Sequence, residues 1–251
     1  MNLGLKDKVV LITGATQGIG LSIAQDFSSE FARVILVGRS KSKIENALNT
    51  LDNKYLNHLG IDLDLTITEN CEALFNKVSS ICMPDIIIHN LGGTLNFKSS
   101  LSSYEDWLKV IDFNVGIPIK INNLFVPQMK LKKQGRIVHV SSISGISLRG
   151  SAPYAASKTF LNSYTQCLAR ELAIDNIVVS AVMPGAIYAE GGHWDNVKKN
   201  NPTMMDDFLR HHHAVGRLGL ANEISPWVLF LSSKYASFAQ GALINIDGGT
   251  M

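Results

Sequence analysis

The sequence predicts an α/β fold: one doubly wound parallel sheet with helices on both faces. Three observations predict it. Seven short apolar runs rich in β-branched residues (VVLIT, VILVG, DIIIH, RIVHV and IVVSAV among them) are too continuously apolar to leave one face in water, as in parallel strands covered on both sides. Amphipathic segments of helical length separate them, so strand and helix alternate. The chain has 251 residues, 46% of them hydrophobic, which suits one large core, and no repeat, low-complexity tract or Pro/Gly/Ser linker divides it. A single domain over 1–251 is expected.

In chain order, the first strand falls at Lys8–Thr13, and a glycine-rich turn opens a helix with Ile19, Ile23 and Phe27 one turn apart. Strands follow at Arg33–Gly38, Tyr55–Asp62 and Asp85–Asn90. A long helix is predicted from Tyr104 to Lys130, then a strand at Gly135–Ser141. Pro153 suits a helix start, and Leu161, Thr165 and Ala169 continue that helix toward Asp175. Ile177–Val182 and Ala242–Asp247 complete the strands. The stretch of about 186–215 shows no clear period and is too long for an ordinary connection, which points to a binding loop or lid.

Charge and cysteine content exclude several classes. Twenty-three basic against twenty-one acidic side chains leave a net charge of +2, too small to draw nucleic acid or a membrane surface. Cys71, Cys82 and Cys167 are odd in number and form no CxxC pair, which argues against a disulfide framework or zinc site and fits a reducing cytoplasm. No apolar run approaches 18 residues, so neither export nor a membrane span is expected.

The chemistry begins at Thr13-Gly14-Ala15-Thr16-Gln17-Gly18-Ile19-Gly20, between the first strand and its helix. Gly14 permits the tight turn, Gly18 lets backbone N–H groups approach a pyrophosphate, and Gly20 lets helix and strand pack closely. The helix N-terminus then faces the anion. At the end of the second strand, where an NAD site offers a carboxylate to the ribose, the chain reads Val37-Gly38-Arg39-Ser40. Arg39 suits a 2′-phosphate, so NADP(H) is preferred and NAD(H) is the alternative.

A second constellation lies further on. Tyr154-Ala155-Ala156-Ser157-Lys158 places phenol and ammonium one helical turn apart on one face, where the ammonium lowers the phenol pKa toward a range useful for acid/base work. Val140-Ser141-Ser142-Ile143-Ser144-Gly145 ends the fifth strand at the sheet's carboxyl edge, where a hydroxyl can bond a substrate carbonyl. Pro118 cannot donate to the Asn114 carbonyl, which is left free to hold a water near Lys158.

These motifs, with Asp62, His89-Asn90-Leu91-Gly92, Met183-Pro184-Gly185 and Ile246-Asp247-Gly248-Gly249 in the same order, resemble the short-chain dehydrogenase/reductase family over essentially the whole chain, in particular its 3-oxoacyl-(acyl-carrier-protein) reductase-like members. The resemblance implies a Rossmann-type domain and a catalytic tetrad of Asn114, Ser142, Tyr154 and Lys158. It favours Ser142 over Ser141 by distance to Gly145. It implies that Asp62 lies near the adenine, that Asn90 braces the sheet, that Lys158 also anchors the nicotinamide ribose, and that Thr16, Gln17, Ile19, Gly92, Pro184, Gly185 and Ile187 complete the cofactor site. Two positions depart from the family: Leu91 replaces a common alanine, and Ala189 replaces the threonine that holds the carboxamide.

The implied reaction is reversible hydride transfer between a nicotinamide and a carbonyl or secondary alcohol carbon, Tyr154 giving the proton. The contrasting class is a cofactor-binding sensor or scaffold without chemistry. Candidate substrate residues are His193 and Trp194, and Arg149 is placed to reach a phosphate or carboxylate. Three adjacent histidines, His211-His212-His213, diverge around a helix axis, so no metal site is expected. Family members reduce 3-oxoacyl thioesters, and the NLGG and AEGGHWD runs suggest a keto-sugar of a surface-glycan pathway. The resemblance further implies a tetramer or dimer built on the helices near Asn114 and Lys158, whose Phe113, Phe125, Phe160 and Tyr164 suit an interface or the core equally.

Overall fold

The computed structural model describes residues 1–250. Strand and helix alternate as β1 (Val9–Thr13), α1 (Gly18–Ser29), β2 (Arg33–Gly38), α2 (Lys41–Asn49), β3 (Leu59–Asp62), α3 (Glu69–Ser79) and β4 (Ile86–His89). Then come α4 (Tyr104–Ile111), α5 (Ile117–Lys132), β5 (Gly135–Val140), α6 (Ser144–Ser147), α7 (Ala152–Leu172) and β6 (Ile177–Pro184). The chain finishes with α8 (His193–Asn200), α9 (Pro202–His212), α10 (Ser225–Ser232) and β7 (Leu243–Ile246). The seven strands form one parallel sheet in the order β3-β2-β1-β4-β5-β6-β7. The order reverses between β1 and β4, which opens a crevice at their carboxyl ends, where open α/β sheets bind ligands.

The continuous apolarity of the strands has a direct cause. Val10 and Ile12 face one core layer with Ile23 and Phe27 of α1 and Val228 of α10. Leu11 faces the other with Leu74 of α3 and Ile121 and Phe125 of α5. Successive strand residues point to opposite faces, and both faces are covered.

Three expectations change. The third strand begins at Leu59 rather than Tyr55, because Asn53 and Asn57 adopt left-handed backbone (φ +52° and +51°) and enclose a 3₁₀ turn. The helix expected from Tyr104 to Lys130 carries a π-helical turn at Asp112–Gly116; Ile111, Gly116 and Ile117 keep right-handed helical backbone, so α4 runs on into α5, and Pro118, inside this continuous helix, has no N–H to give to the Asn114 carbonyl. The aperiodic stretch contains α8 and α9; the Asn201 side chain caps α9 by accepting from Met204 N. Among the described residues, no helix is long and apolar enough to cross a membrane. All three cysteines are free thiols.

Candidate active site

At the crevice, Thr13 and Asn90 join the ends of β1 and β4. Thr13 Oγ1 accepts from the backbone N–H groups of Asn90 and Leu91, both at 3.1 Å. Asn90 Nδ2 donates to the carbonyls of Thr13 (3.2 Å) and Gly14 (2.9 Å). Gly14 and Gly18 take φ of +65° and +55°, and a Cβ on Gly20 would lie 2.4 Å from both Gly14 O and Asn90 Nδ2. The turn is therefore packed as tightly as glycine allows. The first turn of α1 has no side-chain cap and no acidic residue, so its N–H groups remain available to an anion.

Beside this turn, Thr16 sets its methyl against Gly38 at the end of β2, next to exposed Arg39. Asp62 is exposed at the end of β3. Lys43, which the sequence reading did not single out, donates from Nζ to Gln17 Oε1 at 3.3 Å. The glycine turn and the two cations fit a phosphorylated dinucleotide. Pro184 O accepts from Ile143 N and Gly185 N donates to Ile246 O, each at 3.0 Å, while Ile187 bridges to Gly219. Ala189 lies against Gly18.

The catalytic candidates converge on the β4, β5 and α7 ends. Ser151 caps α7 by accepting from Tyr154 N. Lys158, 2% exposed, donates from Nζ to Val140 O at 3.0 Å and lies 5.5 Å from the centre of the Tyr154 ring. Asn114 grips the loop after β4: its Oδ1 accepts from Gly93 N (3.0 Å), and its Nδ2 donates to Gly93 O (2.8 Å) and Val110 O (2.9 Å). A Cβ on Gly92 would stand 2.6 Å from Asn114 Oδ1 and 3.1 Å from Lys158 Nζ, so only glycine leaves this floor open. Ser141 is buried and donates to Asn162 Oδ1 at 2.6 Å. Ser142 is only half-buried, accepts from Ser144 N, and stands beside the Tyr154 phenol.

Electrostatics depart from the expectation for the tyrosine. Burial pushes the Tyr154 phenol above its ordinary range, with the Ser142 hydroxyl pulling the other way. Burial also pulls Lys158 down to about 7. The expected acidification by the ammonium does not appear: Lys158 Nζ is turned to Val140 O, and desolvation disfavours the charged form of both groups.

Flanking the lysine lies a buried pair missed in the sequence: His89 and His139, register partners on β4 and β5, stack with ring centres 5.1 Å apart. His89 Nε2 bonds Asn122 Oδ1, and His139 Nδ1 bonds Thr165 Oγ1. Burial holds His89 down at about 4 and lowers His139 as well. Over the carboxyl edge, buried Asp195 ties the α8–α9 segment together, accepting from Tyr188 OH (3.0 Å), Gly191 N (2.9 Å) and Lys199 Nζ (2.7 Å). The three histidines diverge: His211 approaches Asp207, His212 bonds exposed Arg149 at 2.8 Å, and His213 is buried. Phe125 lies in the core, whereas Phe160 is exposed on α7.

Residues 8–199 match the family model described as short chain dehydrogenase. The chain belongs to the short-chain dehydrogenase family. It is 30% identical to an uncharacterised oxidoreductase of Bacillus subtilis, covering 99% of this chain and 98% of that one. It is 32% identical to a 3-oxoacyl-(acyl-carrier-protein) reductase of Rickettsia typhi over 97% of each. Among solved structures it superposes on the L-sorbose reductase of Gluconobacter frateurii complexed with NADPH and L-sorbose, with a TM-score of 0.91, 27% identity and coverage of 99% and 98%. A 3-oxoacyl-(acyl-carrier-protein) reductase of Agrobacterium tumefaciens with NADP bound gives a TM-score of 0.89 at 26% identity over 98% and 95%. This short-chain dehydrogenase is an oxidoreductase with the family's Rossmann-like sheet.

Proposed function

We propose that the enzyme interconverts a ketone and a secondary alcohol with NADP(H), Tyr154 acting as general acid and base. The observation that carries this reading is the convergence of Tyr154, Lys158 and Ser142 beside the glycine turn, at the carboxyl edge of the sheet. The preference for NADP(H) rests on Arg39 and Lys43 beside the glycine turn, without a carboxylate on the Gly38–Ser40 segment; two solved relatives carry that cofactor.

When bound, a nicotinamide supplies or accepts the hydride at the substrate carbon. Ser142 Oγ donates a hydrogen bond to the carbonyl oxygen, and Tyr154 OH delivers its proton there. A phenol held above its ordinary pKa keeps that proton at neutral pH until negative charge develops on the substrate oxygen. The Lys158 ammonium then stabilises the phenolate, and its pKa of about 7 lets it exchange protons near neutrality. Asn114 holds Gly93, which keeps the loop beside Lys158 in place. The segment of about 186–215 closes over the substrate as a lid of a single 1–251 domain.

The substrate classes proposed are the 3-oxoacyl thioester and the keto-sugar. The test is NADPH consumption against a panel of acyl thioesters, keto-sugars and simple ketones. Consumption of a member with formation of its alcohol is expected. Saturable NADPH binding with no consumption across the panel would favour the non-catalytic sensor.

A further inference from the structure

A run of contacts joins the loops above the carboxyl edge. Burial lowers the His193 pKa, and the positive charge of Lys98, on the loop after β4, lowers it further. His193 packs edge-on against Trp194 (4.9 Å), Trp194 against Phe208 (4.2 Å) and Phe208 against His212 (5.4 Å). His212 accepts from Arg149 at 2.8 Å. Two residues beyond Arg149, Ser151 donates to Phe97 O, and Ala152 N donates to Lys98 O at 3.4 Å. The run therefore joins the β4 loop, the β5 loop, α8 and α9, and its base is the first turn of α7, where Tyr154 sits.

Its composition is one-sided. The six side chains comprise a lysine, an arginine, two imidazoles, two aromatic rings and no carboxylate. Among the described residues, neither Lys98 nor Arg149 pairs with a carboxylate, whereas Lys199 and Arg217 nearby each do. Arg149 spends a donor on His212 and keeps the rest of its five-donor fork. Unneutralised cations on the loops that rim a site raise the local concentration of anions and bind them through charge-assisted hydrogen bonds.

We infer that this run of side chains is an anion-selecting collar: the physiological substrate carries a phosphate or carboxylate beside its reacting carbonyl, held by Lys98 and Arg149 while Trp194 and Phe208 line its apolar side. The inference rests on the oxidoreductase reading above and assigns that site a substrate class.

Two measurements test it separately from catalysis. In the first, inorganic phosphate is titrated into the full chain and followed by Trp194 emission in a Trp107→Phe/Trp227→Phe background. A saturable change is expected, weakened about tenfold in Arg149→Gln and again in Lys98→Gln, the effect of removing one charge-assisted bond each time. Both residues are exposed, so these variants keep the fold. No saturable response, or one unchanged in both variants, overturns the collar. In the second, a ketose, its phosphate monoester and a keto acid of similar size are compared with NADPH. The collar predicts a kcat/KM at least about tenfold higher for an anionic member, the preference lost in Arg149→Gln; equal turnover of neutral and anionic members overturns it. A phosphate response lost in the variants, with no carbonyl consumed, would support the collar and count against the proposed reaction instead.

Discussion

Replacing Lys158 with methionine should stabilise the fold while abolishing turnover. The ammonium is buried and its pKa falls from 10.5 to about 7. At about 1.4 kcal/mol per pKa unit, burial of the charged form costs on the order of 5 kcal/mol. A lysine whose folded pKa lies below its unfolded one binds fewer protons when folded between those two values. Stability therefore rises with pH from about 7 to 10.5, and the whole cost is present below pH 7. Methionine removes this cost but leaves the Val140 carbonyl without its donor, a loss of about 1–3 kcal/mol. The variant should thus be more stable by roughly 2–4 kcal/mol at pH 6, and near parity at about pH 9, where most of the cost has gone. Urea denaturation of both proteins at the two pH values measures this. A variant no more stable at pH 6, or with the same advantage at both, would refute the reasoning.

Gly20→Ala should open the glycine turn, because the new Cβ would lie 2.4 Å from Gly14 O and Asn90 Nδ2. A loss of about 1–3 kcal/mol by denaturation and weaker dinucleotide binding by fluorescence are expected. Arg39→Ser with Lys43→Ser should weaken NADPH binding about a hundredfold, at roughly 1.4 kcal/mol per lost charge-assisted bond, and leave NADH binding unchanged; calorimetric titration of both cofactors checks it. The Asp195 carboxylate is held below its usual range, first by Lys199 and then by the Gly191 N–H. Its stabilisation is present above the unfolded pKa and is lost as pH falls through the folded one. Asp195→Asn should therefore speed proteolysis within 186–215 at neutral pH, and a cleavage rate equal to that of the parent would contradict this.

Where a motif is local, its geometry was legible in the sequence. The glycine turn is fixed by eight consecutive residues, and Tyr154 and Lys158 share a face because four residues make about one helical turn. The five inner strands were legible because burial on both faces writes itself as uninterrupted apolarity, whereas the edge strands β3 and β7 are only partly buried. The π-turn at Asp112–Gly116 was not, since one extra residue in a helical turn leaves the apolar spacing around it almost intact. Contacts set by tertiary register were also hidden. Lys43 reaches Gln17 across 26 positions, and the His89–His139 stack depends on the pairing of β4 with β5. The Tyr154 pKa was expected in the wrong direction because sequence shows the neighbouring lysine but not the depth at which both lie.

The role of the phenol is tested most directly by Tyr154→Phe, which keeps the ring and removes the proton. With a carbonyl substrate from the panel, single-turnover oxidation of bound NADPH should slow by about a thousandfold, within the range supplied by a positioned acid, while the NADPH dissociation constant stays within a few-fold of the parent. Near-parental turnover with cofactor binding intact would show that the proton comes from another group.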